Sequence, residues 1–112
     1  LPPGTAALSV DGADVGTTEA VRCSDIAWST MITTGDDDAG ASVMISNANR
    51  LVVESVEIRN LNGFTGNYNR DLAGDASVAM IGATYRISGN ALGYKPTSIA
   101  PITRPFSIRV AC

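Results

Sequence analysis

The sequence predicts an all-β fold, an antiparallel β-sandwich or partly open barrel of about eight short strands with one disulfide. Three observations carry this. Apolar residues recur at every second position in short runs, the period of a strand with one buried face. Gly, Pro, Asn and Asp punctuate those runs at short intervals, as they do in sandwiches and small barrels. The chain has two cysteines, and both share a parity with apolar neighbours. The closing stretch from Ile102 to Cys112 shows the logic. Phe106, Ile108, Val110 and Cys112 alternate, so they are expected to face a core, with the chain ending inside it. Cys23 shares its parity with Val21. The expectation is therefore a buried Cys23–Cys112 disulfide that pins the last strand to an early one. It would close a loop of about 90 residues and contribute roughly 4–5 kcal/mol in the loop-entropy account.

Composition narrows the function classes. At 112 residues the chain is one domain, with residues 1–5 read as the end of a linker and 6–112 as the folded part. Aromatics are only 5%, so the core must be built mostly from Val, Ile, Leu, Met and Ala. The net charge of -3 argues against nucleic acid, which requires a basic surface to displace phosphate counterions, and against polybasic adhesion to anionic lipid. There is no histidine, which removes Ser-His and Cys-His machinery and most zinc sites. No cofactor is implied. Disulfides persist mainly outside the reducing cytosol, so the cysteine pair points to export. No apolar run is long enough to span a membrane, and no signal peptide is present; an exported form would be a mature or trimmed one.

The elements follow in order. Leu1 to Thr5 has linker composition. Ala6–Val10 is a short strand, Asp11-Gly12 a hairpin signal, and Thr18–Cys23 the expected return. Asp25 to Thr34 reads as one strand; Ser24-Asp25 capping a helical turn is the alternative. Asp36, Asp37 and Asp38 form an acidic turn whose spacing does not match an EF-hand loop, so a solvated hairpin tip is expected. Ala41–Ser46 and Leu51–Asn60 are strands, with Glu54 breaking the apolar side of the second. Leu61 to Tyr68 is a turn-rich connection containing the Asn62-Gly63 hairpin signal, and Asn69 to Asp75 an exposed loop. Ala76–Ile81 and Thr84–Leu92 are partners across Gly82-Ala83. Gly89 inside the second marks a bulge or a close backbone approach. Gly93 to Pro101 is irregular, and the closing strand completes the fold.

Several landmarks, in order, resemble one family. They are Leu8-Ser9-Val10-Asp11-Gly12, Val21-Arg22-Cys23, Val56 to Gly63, Tyr85 to Gly93, and Pro105 to Cys112. Their order and spacing, with both cysteines in register, make the chain similar to the mycobacterial nineteen-kilodalton lipoprotein antigen family, the LpqH-like lipoproteins. The resemblance implies a non-catalytic cell-envelope domain. In the precursor a lipidated N-terminal cysteine would tether it through a polar linker to the outer face of the cytoplasmic membrane or the cell surface. The lipobox cysteine is absent from this sequence, and Cys23 and Cys112 match the family's disulfide pair. Multiple acyl chains would give stable attachment where one gives only marginal binding. Immune recognition in the family is attributed chiefly to that lipid. Trp28 and the Asp36-Asp37-Asp38 tip match no family landmark.

Other function classes have specific candidates. An enzyme would need a carboxylate pair such as Glu54 with Asp75 or Asp71, and nothing in the spacing supports one. A carrier of an apolar, lipid-like ligand could use Met31, Met44 and Met80 as an adaptable lining, although ordinary core packing explains them better. An accessory subunit of an envelope complex, or a module that meets a host receptor or envelope protein, could use Tyr68, Tyr94 or Phe64 as anchors; these could equally be lids over the core.

Overall fold

The computed structural model describes residues 2–72 and 74–112, and these form ten strands and no helix. The strands are β1 Thr5–Val10, β2 Ala13–Thr18, β3 Val21–Ile26, β4 Ser29–Gly35, β5 Gly40–Ser46, β6 Val52–Leu61, β7 Phe64–Asn69, β8 Asp75–Ile81, β9 Thr84–Tyr94 and β10 Ile102–Ala111. All pair antiparallel in one nearly closed sheet, ordered β2-β1-β10-β9-β7-β6-β5-β4-β3, with β8 on the edge of β9 beside β7.

Local chemistry explains most connections. Asp11 and Gly12 both take positive φ between the paired residues Val10 and Ala13, and Asn62 and Gly63 do the same between Leu61 and Phe64. Two consecutive positive φ values match the right-handed twist of the strands they join, which is why Asp-Gly and Asn-Gly specify tight hairpins. The expected Gly82-Ala83 turn joins β8 to β9. At Gly89 the backbone approach is close, since a Cβ there would lie 2.0 Å from the Asp75 carbonyl oxygen of β8. Pro105 is accommodated within β10 because its carbonyl accepts from Asp11 N at 2.8 Å, just past the end of β1. Its missing N–H therefore faces no strand partner.

The structure corrects the sequence reading at several points. The first hairpin returns as β2, Ala13–Thr18, and not as Thr18–Cys23. A bulge at Val15 turns this polar edge strand, and Asp14 Oδ1 accepts from Gly16 N at 2.8 Å. The stretch from Asp25 to Thr34 is broken at Ala27-Trp28, where Ala27 takes a positive φ and β3 folds back on β4. The segment after Asn62-Gly63 is strand β7, with Phe64 fully buried and Tyr68 nearly so. Two extra strands, β2 and β7, raise the expected eight to ten. The irregularity at Glu54 is a bulge. Val53 pairs with Ile45 and Ser55 with Met44, so the buried parity shifts from Val53 to Val56 and Ile58.

The core is continuous. Leu8, Val10, Ile32, Val43, Ile45, Val56, Ile58, Phe64, Ile87, Phe106, Ile108 and Val110 are its principal side chains. As the alternation of β10 predicts, Phe106, Ile108 and Val110 face inward. Cys112 does not. It lies one residue beyond β10, and both Cys112 and Cys23 are exposed. The disulfide forms as expected, with Cα atoms 5.8 Å apart, but at the surface. The reason is topological. β3 is an edge strand with a neighbour on one side only, so no second layer covers Cys23. The bridge ties this free edge to the end of β10, across the opening of the sheet.

Candidate functional site

The carboxylates weighed for catalysis have separate partners. Glu54 Oε1 accepts from Arg70 at 3.0 Å, and Asp75 Oδ1 accepts from Asn90 Nδ2 at 2.8 Å. Asp71 is exposed in the loop after β7. Pairs exposed to this degree are worth about 0–1 kcal/mol, and each reads as a solvated contact. Among the described residues no three acidic or sulfur side chains gather as a metal site would require.

The acidic tip between β4 and β5 is more organised than the sequence suggested. Asp36 Oδ1 accepts from the backbone N–H groups of Asp38 at 2.9 Å and Ala39 at 3.0 Å. These bonds, Ala39 first and then Asp38, hold the Asp36 carboxyl below the usual carboxylate range, with a smaller contribution from the Arg59 guanidinium. Arg59, on β6, donates to Asp36 O, Ser42 Oγ, Glu57 Oε1 and Thr34 O at 2.8–3.1 Å. It lashes the hairpin tip to the neighbouring strand. This role is structural, since four of the five guanidinium N–H groups are engaged by acceptors of the protein.

The methionines do not share a cavity. Met31 and Met44 are direct cross-strand partners on the half-buried side of β4 and β5 that faces away from the core, whereas Met80 pairs with Tyr85 at the β8–β9 hairpin. An apolar hollow of about 310 Å³ does exist where β2 meets the β4–β5 hairpin, lined by Leu8, Val15, Ala20, Ala39 and Leu61 among others. Of the aromatic anchors considered, Phe64 and Tyr68 belong to the core, and only Tyr94 is exposed.

Two surface features were missed. The β3–β4 tip projects Ile26 and Trp28, each 69% exposed. On the outer face of β9 and β10, Arg86 lies directly opposite Arg109. A shallow hollow of about 620 Å³ beside them is lined by Ile81, Thr84, Arg86, Ser107 and Arg109. The outward parity of each arginine was legible in the sequence, but their juxtaposition depends on the register of two strands over 20 residues apart in the chain.

A protein of Mycobacterium avium subsp. hominissuis, provisionally named a lipoprotein, is 43% identical over 112 residues, covering 96% of this chain and 76% of that protein. A similarly named protein of Mycobacterium indicus pranii is 38% identical, covering 96% of this chain and 78% of its own length. Lipoprotein LpqH of Mycobacterium tuberculosis is 31% identical over 115 residues, covering 98% of this chain and 72% of its own length. The family model described as Mycobacterium 19 kDa lipoprotein antigen matches residues 1–112, so the chain belongs to that family of mycobacterial lipoprotein antigens.

Proposed function

We propose that this chain is the non-catalytic ectodomain of a cell-envelope lipoprotein, a surface antigen whose barrel displays interaction surfaces. Residues 1–5 would end a linker, and 6–112 would form the single β domain. In the precursor a lipidated cysteine upstream of Leu1 would tether it to the outer face of the cytoplasmic membrane or to the cell surface. Family membership implies a lipid-anchored envelope protein and an antigen with no known enzymatic role. The match of the family model across residues 1–112 is the observation that carries the reading. The exposed Cys23–Cys112 bridge supports it, because an accessible disulfide survives where the surroundings are oxidising.

Intact-mass analysis of the native full-length protein, recovered from envelope and cytosolic fractions, tests this reading. The expected result is envelope protein with acyl mass on an N-terminal cysteine. Unacylated protein confined to the cytosol would overturn it. A carrier of an apolar ligand is the second reading, favoured only by the hollow beside Leu8 and Leu61. Lipid that co-purifies in native mass spectra, and is lost on filling that hollow by Ala39→Phe, would move the assignment to a carrier. An envelope complex or a host receptor as partner would instead be sought by pull-down with the acylated protein.

A further inference from the structure

We propose that the outer face around Arg86 and Arg109 is a docking surface for the phosphates of an anionic phospholipid bilayer. The tethered domain rests on its membrane by this face. The proposal rests on the lipoprotein reading above, and three observations carry it.

The first is charge. Arg86 and Arg109 are exposed and directly opposed, with Thr17, Ala7 and Ala79 in the same cross-strand row. Like charges placed opposite each other destabilise a sheet. Among the described residues neither arginine has an acidic partner, and no other pair of cations is in register. By contrast, Asp11, Glu54 and Glu57 engage Lys95, Arg104, Arg70 and Arg59. A lipid phosphate supplies the missing counter-charge, and its oxygens match the fork of a guanidinium.

The second is the neighbouring apolar tip. The next row on the same face is Thr5, Ala111, Thr84 and Ile81. Ile81 is 57% exposed, and Met80 at the same hairpin is 44% exposed. Binding at a membrane interface grows with buried apolar area and with attraction to anionic lipid, and this tip offers both.

The third is where the chain enters. Thr5 lies in that same row, and Gly4 N donates to Ala111 O at 2.8 Å. Two residues along a strand is ~7 Å, so a tether preceding β1 leaves the fold about that far from the arginine row. The rows farther from the tether are Asp14, Ser9, Ser107, Ser88 and Ser77, and then Pro105, Asn90 and Asp75. The face thus runs from apolar tip to cations to hydroxyls and carboxylates, Asp14 in the hydroxyl row and Asp75 in the last, with the lipid-compatible end nearest the tether.

The test holds the full chain on bilayers through an N-terminal hexahistidine tag and a nickel-chelating lipid, with a trace of gadolinium-headgroup lipid present. One bilayer is phosphatidylcholine alone; the other also contains phosphatidylglycerol. On the anionic bilayer, selective relaxation of the amides of residues 79–86 and 107–111 is expected, weakening as salt screens the charges. The R86E/R109E variant, whose two sites are exposed, should retain the wild-type melting midpoint. It should lower the ratio of docked to undocked domain by roughly 30-fold or more, at roughly fivefold per arginine at such a surface. Uniform relaxation over all faces, or an unchanged pattern in the double variant, overturns the proposal. So would an equal response to inorganic phosphate without bilayers, which would reassign the site to a free anion. Because the tag supplies the tether, failure here leaves the lipoprotein reading intact. Absence of acyl groups on the native protein would sink that reading without altering this result.

Discussion

Replacing Cys23 with Ser should lower the melting temperature by roughly 17–21 °C. The bridge spans a sequence separation of 89, for which the loop-entropy account assigns roughly 4–5 kcal/mol. An unfolding entropy of about 2.1 cal/mol/K per residue amounts to roughly 0.23 kcal/mol/K over the 112-residue chain. Each kcal/mol lost therefore costs about 4 °C. The loss acts through the unfolded state, so native chemical shifts remote from Cys23 and Cys112 should barely move. Exposure of both cysteines adds a second expectation: reductant should cleave the bridge in the folded protein, without global opening. Thermal melts followed by circular dichroism, with free thiols counted by mass after alkylation, check both. Wild type in reductant should then melt with the Cys23→Ser variant. If fully reduced wild type kept its oxidised midpoint, the constraint argument would be wrong.

Four further outcomes follow from the packing and the acidic tip. Phe64→Ala should destabilise by about 3–5 kcal/mol in urea titration, because the ring is fully buried, whereas Trp28→Ala should stay within about 0.5 kcal/mol. Gly89→Ala should fail to fold or lose more than about 2 kcal/mol, since the new methyl meets the backbone of Asp75 and not a yielding side chain; expression yield and melting midpoint report this. Arg59→Met should cost roughly 1–3 kcal/mol and raise amide exchange at residues 35–40, because four acceptors lose their donor. The backbone N–H groups of Ala39 and Asp38 hold the Asp36 carboxyl below the usual carboxylate range, so its stabilising contribution is present above that range and fades as pH falls through the lower folded-state value. Asp36→Asn should lower stability modestly at neutral pH, where that contribution is fully present, and so flatten the acid limb of a stability–pH curve.

How legible was this molecule in its sequence? Strands bounded by strong turn chemistry were plain. Asp11-Gly12, Asn62-Gly63 and Gly82-Ala83 mark three real hairpins, and Gly89 marks a real close approach. The alternation of Phe106, Ile108 and Val110 correctly named the inner face of β10. What failed did so where parity is not sufficient. Cys112 kept the right period but lay past the last ladder pair, and Cys23 lay on an edge that nothing covers. β7 was hidden because Gly66 and Asn67 dilute a strand whose inward side is carried by Phe64 and Tyr68 alone. β2 was hidden because an edge strand with a bulge at Val15 needs no apolar alternation. Surface sites were harder still. The opposition of Arg86 and Arg109 exists only once β9 and β10 are in register, which no local pattern encodes. The family membership, by contrast, was carried by ordered landmarks and extends over the whole chain.

The most direct test is the redox and compartment state of the two cysteines in living cells. Acid-quenched bacteria would be alkylated, fractionated and digested without reductant, and the peptides bearing Cys23 and Cys112 identified by mass. The account predicts one cross-linked peptide pair, recovered with the envelope. Two alkylated thiols from protein in the cytosol would contradict it.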